Sequence, residues 1–230
     1  MSSPMGRDCA SKIVGGAFLA AAAMLWSGWV LLPHPIGTFF QPADFAAVAE
    51  RLHLWIWMFR VHIFGLVATV LALAALAAAV ADRPARLLVW PGAAVAACGV
   101  MVTALAEAFY YHFGAWGAVT MGGASAETLE GHVAALAVPT EYITCLVRFG
   151  RVFAGLGLSV LGAGLIQWRL VPGWRWLGTG AVAIGVAAMA LTMGLPDELG
   201  LYQPIFHLFS LWLAAMGAVV LRRGLLPAAL

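Results

Sequence analysis

The chain has 230 residues, 63% of them hydrophobic and only 10% charged, and its mean hydropathy is +0.96. A soluble domain carries about a quarter charged residues, so this composition excludes water as the main solvent. It predicts an all-α, polytopic integral membrane bundle forming one membrane domain over 1–230. The net charge of +2 comes without a basic run, so no nucleic-acid partner is expected.

In chain order, the apolar segments fall near 13–32, 54–81, 87–110, 142–167, 177–195 and 202–221. Each is long enough, or nearly so, to cross about 30 Å of hydrocarbon at about 1.5 Å per residue. The first follows Arg7 and Lys12 as a signal peptide would. At about 20 residues it exceeds the usual h-region and ends without an A-x-A-like site, so it is read as a retained span.

Between the first two spans, "QPADFAAVAERLHLW" predicts a short amphipathic helix over 44–53 lying along the outer interface. Asp44 is its expected N-cap, with Phe45, Val48 and Leu52 on one face and Glu50 and Arg51 on another. The second span opens "HLWIWMFRVHIF", with Trp55 and Trp57 expected at headgroup level and Arg60 at the hydrocarbon boundary. Pro91 falls in the first turn or two of the third span, where a missing N–H is best tolerated. Within the long outer connection 111–141, the stretch 121–132 reads as a flexible loop, with Ser125 and Thr128 suggesting at most a short capped helix at the surface. In the fourth span Gly155, Ser159 and Ala163 form a small-residue stripe suited to close helix packing.

Basic residues set the expected orientation. Arg7, Lys12, Arg83, Arg86, Arg169, Arg175, Arg222 and Arg223, eight of the twelve Lys plus Arg, share one side. Asp44, Glu50, Glu127, Glu130, Asp197 and Glu198 share the other. Both termini are therefore expected in the cytoplasm, with the chain in a bacterial inner (plasma) membrane.

The ionisable residues inside the spans carry the functional signal, because such groups usually face a bundle interior or a cavity. Counting from the basic side at about 1.5 Å per residue puts His62, Glu107, Arg148, Arg151 and His207 in one layer at or just inside the outer membrane face. Arg148 or Arg151 is the expected partner of Glu107. His34, His53 and His132 are expected at the surface or in loops. His62 and His207 are candidate ligands for a metal or b-type haem by depth alone, since no H-x-x-x-H or H-E-x-x-H spacing supports them. The cysteines Cys9, Cys98 and Cys145 form no CxxC pair, and Cys145 lies a turn from Glu141 with no nucleophile motif around it.

Three functions follow from this layer. The first is a site near the outer leaflet, lined by His62, Glu107, Arg148, Arg151 and His207, that binds a small molecule or a redox cofactor such as quinone or haem. The second is an accessory subunit of a larger membrane complex, in which these charges are lateral pairs. The third is a transporter, disfavoured because there is no internal repeat and no charge near the midplane. No residue is assigned a catalytic role.

Overall fold

The computed structural model describes residues 4–31, 41–196 and 199–225, and all regular structure among them is helical. The helices are α1 (Pro4–Leu31), α2 (Pro42–Glu50), α3 (Leu52–Ala79), α4 (Arg86–Tyr110), α5 (Gly117–Thr120), α6 (Ala126–Trp168), α7 (Trp174–Gly194) and α8 (Leu199–Arg223). A π-helical segment, Tyr111–Trp116, joins α4 to α5. Six stretches are long and apolar enough to span a bilayer: Cys9–Gly28, Leu52–Ala79, Arg86–Thr120, Ala126–Trp168, Trp174–Gly194 and Leu201–Arg223.

The six spans form a closed ring in chain order. α1 packs on α3, α3 on α4, α4 on α6, α6 on α7, α7 on α8, and α8 returns to α1. Small residues permit this closeness at the two tightest seams of α6. A Cβ on Gly157 of α6 would lie 2.6 Å from the Gly92 carbonyl of α4, and one on Gly155 would lie 2.6 Å from the Gly185 carbonyl of α7. Lipid is as apolar as leucine, so helix association in a membrane depends on such close packing. The predicted stripe holds through Gly155 and Ser159, but its third member is Gly162 rather than Ala163. Gly162 is buried against Gly178 of α7, whereas Ala163 is exposed.

The ring is filled at one end and hollow at the other. Phe18, Leu73, Leu76, Leu161, Leu165, Leu177, Leu213 and Met216 plug its basic half, each with at most 1% of its surface exposed. Trp212 ties this plug together, its ring edge-on to Phe18 and its indole N–H donating to the Leu177 carbonyl at 2.8 Å. At the same end the Leu225 N–H donates to Ser11 Oγ at 3.2 Å, so the two ends of the described chain meet there.

Beyond the acidic half stands a second, smaller core that the sequence reading did not anticipate. Residues 111–120 are helical, and α6 runs unbroken for 43 residues, about 64 Å. Ser125 is its N-cap, accepting from the Thr128 N–H at 3.2 Å. The cap was expected, but it starts a full span instead of a short surface helix. Phe45, Val48, Trp55, Ile56, Met58, Ala115, Ala118 and Leu136 form this outer core. Helix α2 closes it through Phe45 and Val48, while Glu50 stays exposed as its pattern predicts. Gln41, not Asp44, is its N-cap residue. Asp44 sits one turn in and accepts the Gln41 N–H at 2.8 Å.

Trp55 is correspondingly not a headgroup residue. It is 1% exposed in this core, and Trp57, at 57%, faces outward alone. Replacing Ser125 with Ala is expected to destabilise the start of α6 by about 1 kcal/mol. Amide exchange should then quicken over the first turns of α6 and remain unchanged beyond Pro139.

Candidate functional site

The hollow half of the ring encloses a cavity of about 80 Å³ to which all six spans contribute. One water needs only about 10–15 Å³, so this space accommodates several waters or a small ring. Leu25, Leu66, Val100, Ile184 and Phe209 make most of its wall apolar. His62, Thr103, Arg151, Thr192, Tyr202 and Ser210 also line it, the hydroxyls of Thr103, Thr192 and Tyr202 being bonded to backbone carbonyls.

The His62 ring is fixed from two sides. Its Nδ1 lies 2.6 Å from Glu107 Oε2 of α4, at hydrogen-bond distance. Its Cβ packs on α1 where Gly28 leaves room, since a Cβ there would approach to 2.8 Å. Side-chain exposure is 8% for His62 and 19% for Glu107. The expected ion pair between Glu107 and Arg148 or Arg151 is thereby corrected, because the carboxylate turns to α3 and not to α6. One turn on, Tyr111 follows the same face, and its hydroxyl accepts from Arg60 Nε at 2.9 Å. The Arg60 guanidinium lies 5.4 Å above the Trp57 ring and 5.9 Å from that of Tyr111. Arg60 is thus held at the rim between helices.

The two arginines of α6 divide between two tasks. The Arg148 guanidinium donates to the Thr192 carbonyl at 2.8 Å, in the last turn of α7. Carbonyls there have no partner within their own helix and carry the negative end of its dipole, which a cation satisfies. Arg148 is therefore a helix clamp and does not line the cavity. Arg151, one turn along, does line it, with its guanidinium 3.9 Å from the centre of the Tyr202 ring and 5.8 Å from that of Phe206. Tyr202 is 2% exposed, and its hydroxyl lies 3.2–3.4 Å from the carbonyls of Leu191, Leu195 and Pro196. It thereby fastens α8 to the end of α7 and presents a fixed face to Arg151.

His207 is partly buried on α8 but is not among the residues lining the cavity. A haem ligated by His62 and His207 needs both imidazoles to face one space, and a porphyrin far exceeds the space available. No group of three or more His, Cys, Asp or Glu side chains able to hold a metal ion occurs among the described residues. His53 and His112 are exposed, and His34 lies outside the described residues. His132, expected in a loop, is half-buried in the outer core with its ring edge-on to Phe45 at 5.6 Å. Cys145 and Glu141 are exposed, so no thiol faces the cavity.

Sequence reasoning missed Thr103, Thr192, Tyr202 and Ser210. Neutral hydroxyls raise no alarm in an apolar helix, and Tyr202 sits at a predicted span boundary, where tyrosine is ordinary. Fold and cavity together define the chain as a polytopic helical membrane protein with a polar-edged intramembrane pocket. No family model matches it, and no curated protein or solved structure is significantly similar to it.

Proposed function

We propose that the cavity binds a small lipid-soluble molecule with a polar head, of which a quinone is the best-fitting class. The observation carrying this reading is the cavity's make-up: aliphatic and aromatic walls drawn from six helices, with His62 of α3 and Arg151 of α6 both among the lining residues. An apolar pocket with a few convergent polar groups is the usual form of a small-molecule site. A quinone ring has two carbonyl acceptors on opposite edges, so His62 can hydrogen-bond one and the Arg151 guanidinium the other. Glu107 acts through His62. By holding Nδ1 it fixes the ring's orientation and offers a place for a proton.

The basic half of the ring is packed solid, so access is from the bilayer. The seam between α7 and α8 is the least tightly packed of the six, and residues of both helices line the cavity. The excess of basic residues at the packed end supports a cytoplasmic side for that end and for both termini, in an inner membrane.

Titration of the detergent-purified protein with a short-chain quinone, followed by quenching of its tryptophan fluorescence, tests this function. Saturable quenching is expected. Loss of one hydrogen bond from a charged donor is worth about 1.5–3 kcal/mol, so His62→Ala and Arg151→Met should each weaken binding by at least about tenfold. Non-saturable quenching of the wild type, or equal affinity in both variants, refutes the proposal.

A second reading, a subunit of a larger membrane complex, draws on the outer half of α6. Val138 and Tyr142 are 75% and 65% exposed there, about 45 Å and 39 Å along the helix from Trp168 and so beyond about 30 Å of hydrocarbon. Exposed apolar side chains outside the bilayer suit a protein partner. Stoichiometric co-purification in mild detergent supports this reading, and a lone monomer counts against it.

A further inference from the structure

A second cavity lies at the opposite, basic end of the molecule. It is a groove of about 300 Å³ between the start of α7 and the end of α8, lined by Gly173, Trp176, Val219, Arg222, Arg223 and their neighbours. We infer that this groove is a binding site for the headgroup of an anionic phospholipid.

Two features of the groove select that ligand. Its rim is cationic. Arg222 and Arg223 are exposed in the last turn of α8, and among the described residues no carboxylate pairs with either. Arg169 and Arg175 flank the α7 side, with guanidiniums 5.3 Å and 5.1 Å from the Trp174 ring, and likewise meet no carboxylate among the described residues. Arginine's planar fork of donors matches a phosphate bidentately.

The floor of the groove is apolar. Ala218 and Val219 lie below the arginines, and Trp176, 56% exposed, stands at the side. A free phosphate has no use for such a floor, whereas a phospholipid places its glycerol and first acyl carbons there. Basic pockets between helices on the cytoplasmic side are a recognised setting for anionic headgroups, and an indole at headgroup level favours the same position.

The groove's shape depends on Gly173, which has φ +75° and lies against the Trp176 indole nitrogen. The left-handed conformation and the missing Cβ allow the chain to turn under the indole, which keeps Trp176 beside the arginines.

Thermal unfolding of the purified protein in neutral phosphatidylcholine micelles, with phosphatidylglycerol added in steps, tests the inference. Phosphatidylglycerol should raise the midpoint of the wild type saturably. R222Q/R223Q, with two surface cations removed, should require about thirtyfold more lipid for the same rise. R83Q/R86Q removes the same charge from the same end but away from the groove, and should behave as wild type. Trp176→Ala changes an exposed side chain and should weaken the response without altering the midpoint in phosphatidylcholine.

An unchanged response in both R222Q/R223Q and Trp176→Ala overturns the site. An equal loss in R83Q/R86Q overturns it in favour of diffuse surface charge. If sodium phosphate at the same phosphate concentration reproduces the rise, the lipid assignment is overturned in favour of the free ion.

Discussion

Replacing Gly157 with isoleucine will separate α4 from α6 and destabilise the bundle by more than about 3 kcal/mol, the upper end of the usual penalty for overpacking. Position 157 faces the Ala96 backbone, and a Cβ added there would lie 2.6 Å from both Ala96 Cα and the Gly92 carbonyl. Backbone atoms cannot swing aside as a flexible side chain can, so the helices must move apart. Gly99 of α4 meets the Gly150 carbonyl and the Ala154 backbone in the same way, and any shift propagates along the seam. Ala163→Ile is the matched control. It adds equal volume to the same helix at an exposed position and should change stability by less than about 0.5 kcal/mol. Midpoints of SDS-induced unfolding in mixed micelles read both variants. A wild-type midpoint for Gly157→Ile would mean that the two helices do not meet at this seam.

The second large effect is expected at the His62–Glu107 pair. Breaking a buried ion pair by deleting one partner costs about 3–5 kcal/mol, because the other is left in a medium that cannot solvate it. The residual exposures of 8% and 19% place His62→Phe and Glu107→Leu near or below the lower end, at about 2–3 kcal/mol each. The double variant H62F/E107L leaves no stranded group, and should recover most of that loss, since a packed apolar pair replaces a buried polar one at little or no cost. The four unfolding midpoints then give a coupling energy of about 3 kcal/mol or more, because single losses that sum to about 4–6 kcal/mol collapse to about 1 in the double variant. Strict additivity would show that the 2.6 Å contact contributes nothing. The same variants enter the quinone titration. Glu107→Leu keeps the imidazole but frees its orientation, so it should weaken binding less than loss of His62 itself.

The membrane thickness that makes six apolar runs legible also hid the outer core. Runs of about 20 apolar residues stand out because hydrocarbon demands them. A helix that continues past the bilayer is under no such demand, and "MGGASAETLEGH" reads as a loop by composition. Its second part, 126–132, is helical as the start of α6, which is held by packing of Leu136 in the cluster that contains Phe45, Val48 and Trp55. Trp55 and Trp57 show the limit most simply. They are two residues apart in a helix and identical in type, yet one is 1% and the other 57% exposed, because the chain turns one to the cap and the other outward.

Depth was the strongest signal for the candidate site and its weakest guide to pairing. Counting residues along a span fixes a group's height in the membrane but not the direction it faces. Glu107, Arg148 and Arg151 sit at similar heights, and a carboxylate near two guanidiniums invites an ion pair. The ring order decides otherwise. Glu107 points from α4 toward His62 of α3, while the two arginines point from α6 toward α7 and α8.

The sequence by itself determined the solvent, the six spans, the segregation of charge between two ends and the layer in which the ionisable residues lie. All of these follow from transfer energies that each residue meets independently of its neighbours. Only the tertiary structure decided which residues of that layer meet. It also decided which half of the ring is packed and which is hollow, and that Arg148 clamps α7 while Arg151 reaches the cavity. Those outcomes depend on the rotation of each helix about its axis, which is set jointly by glycine contacts and facing side chains on all six spans.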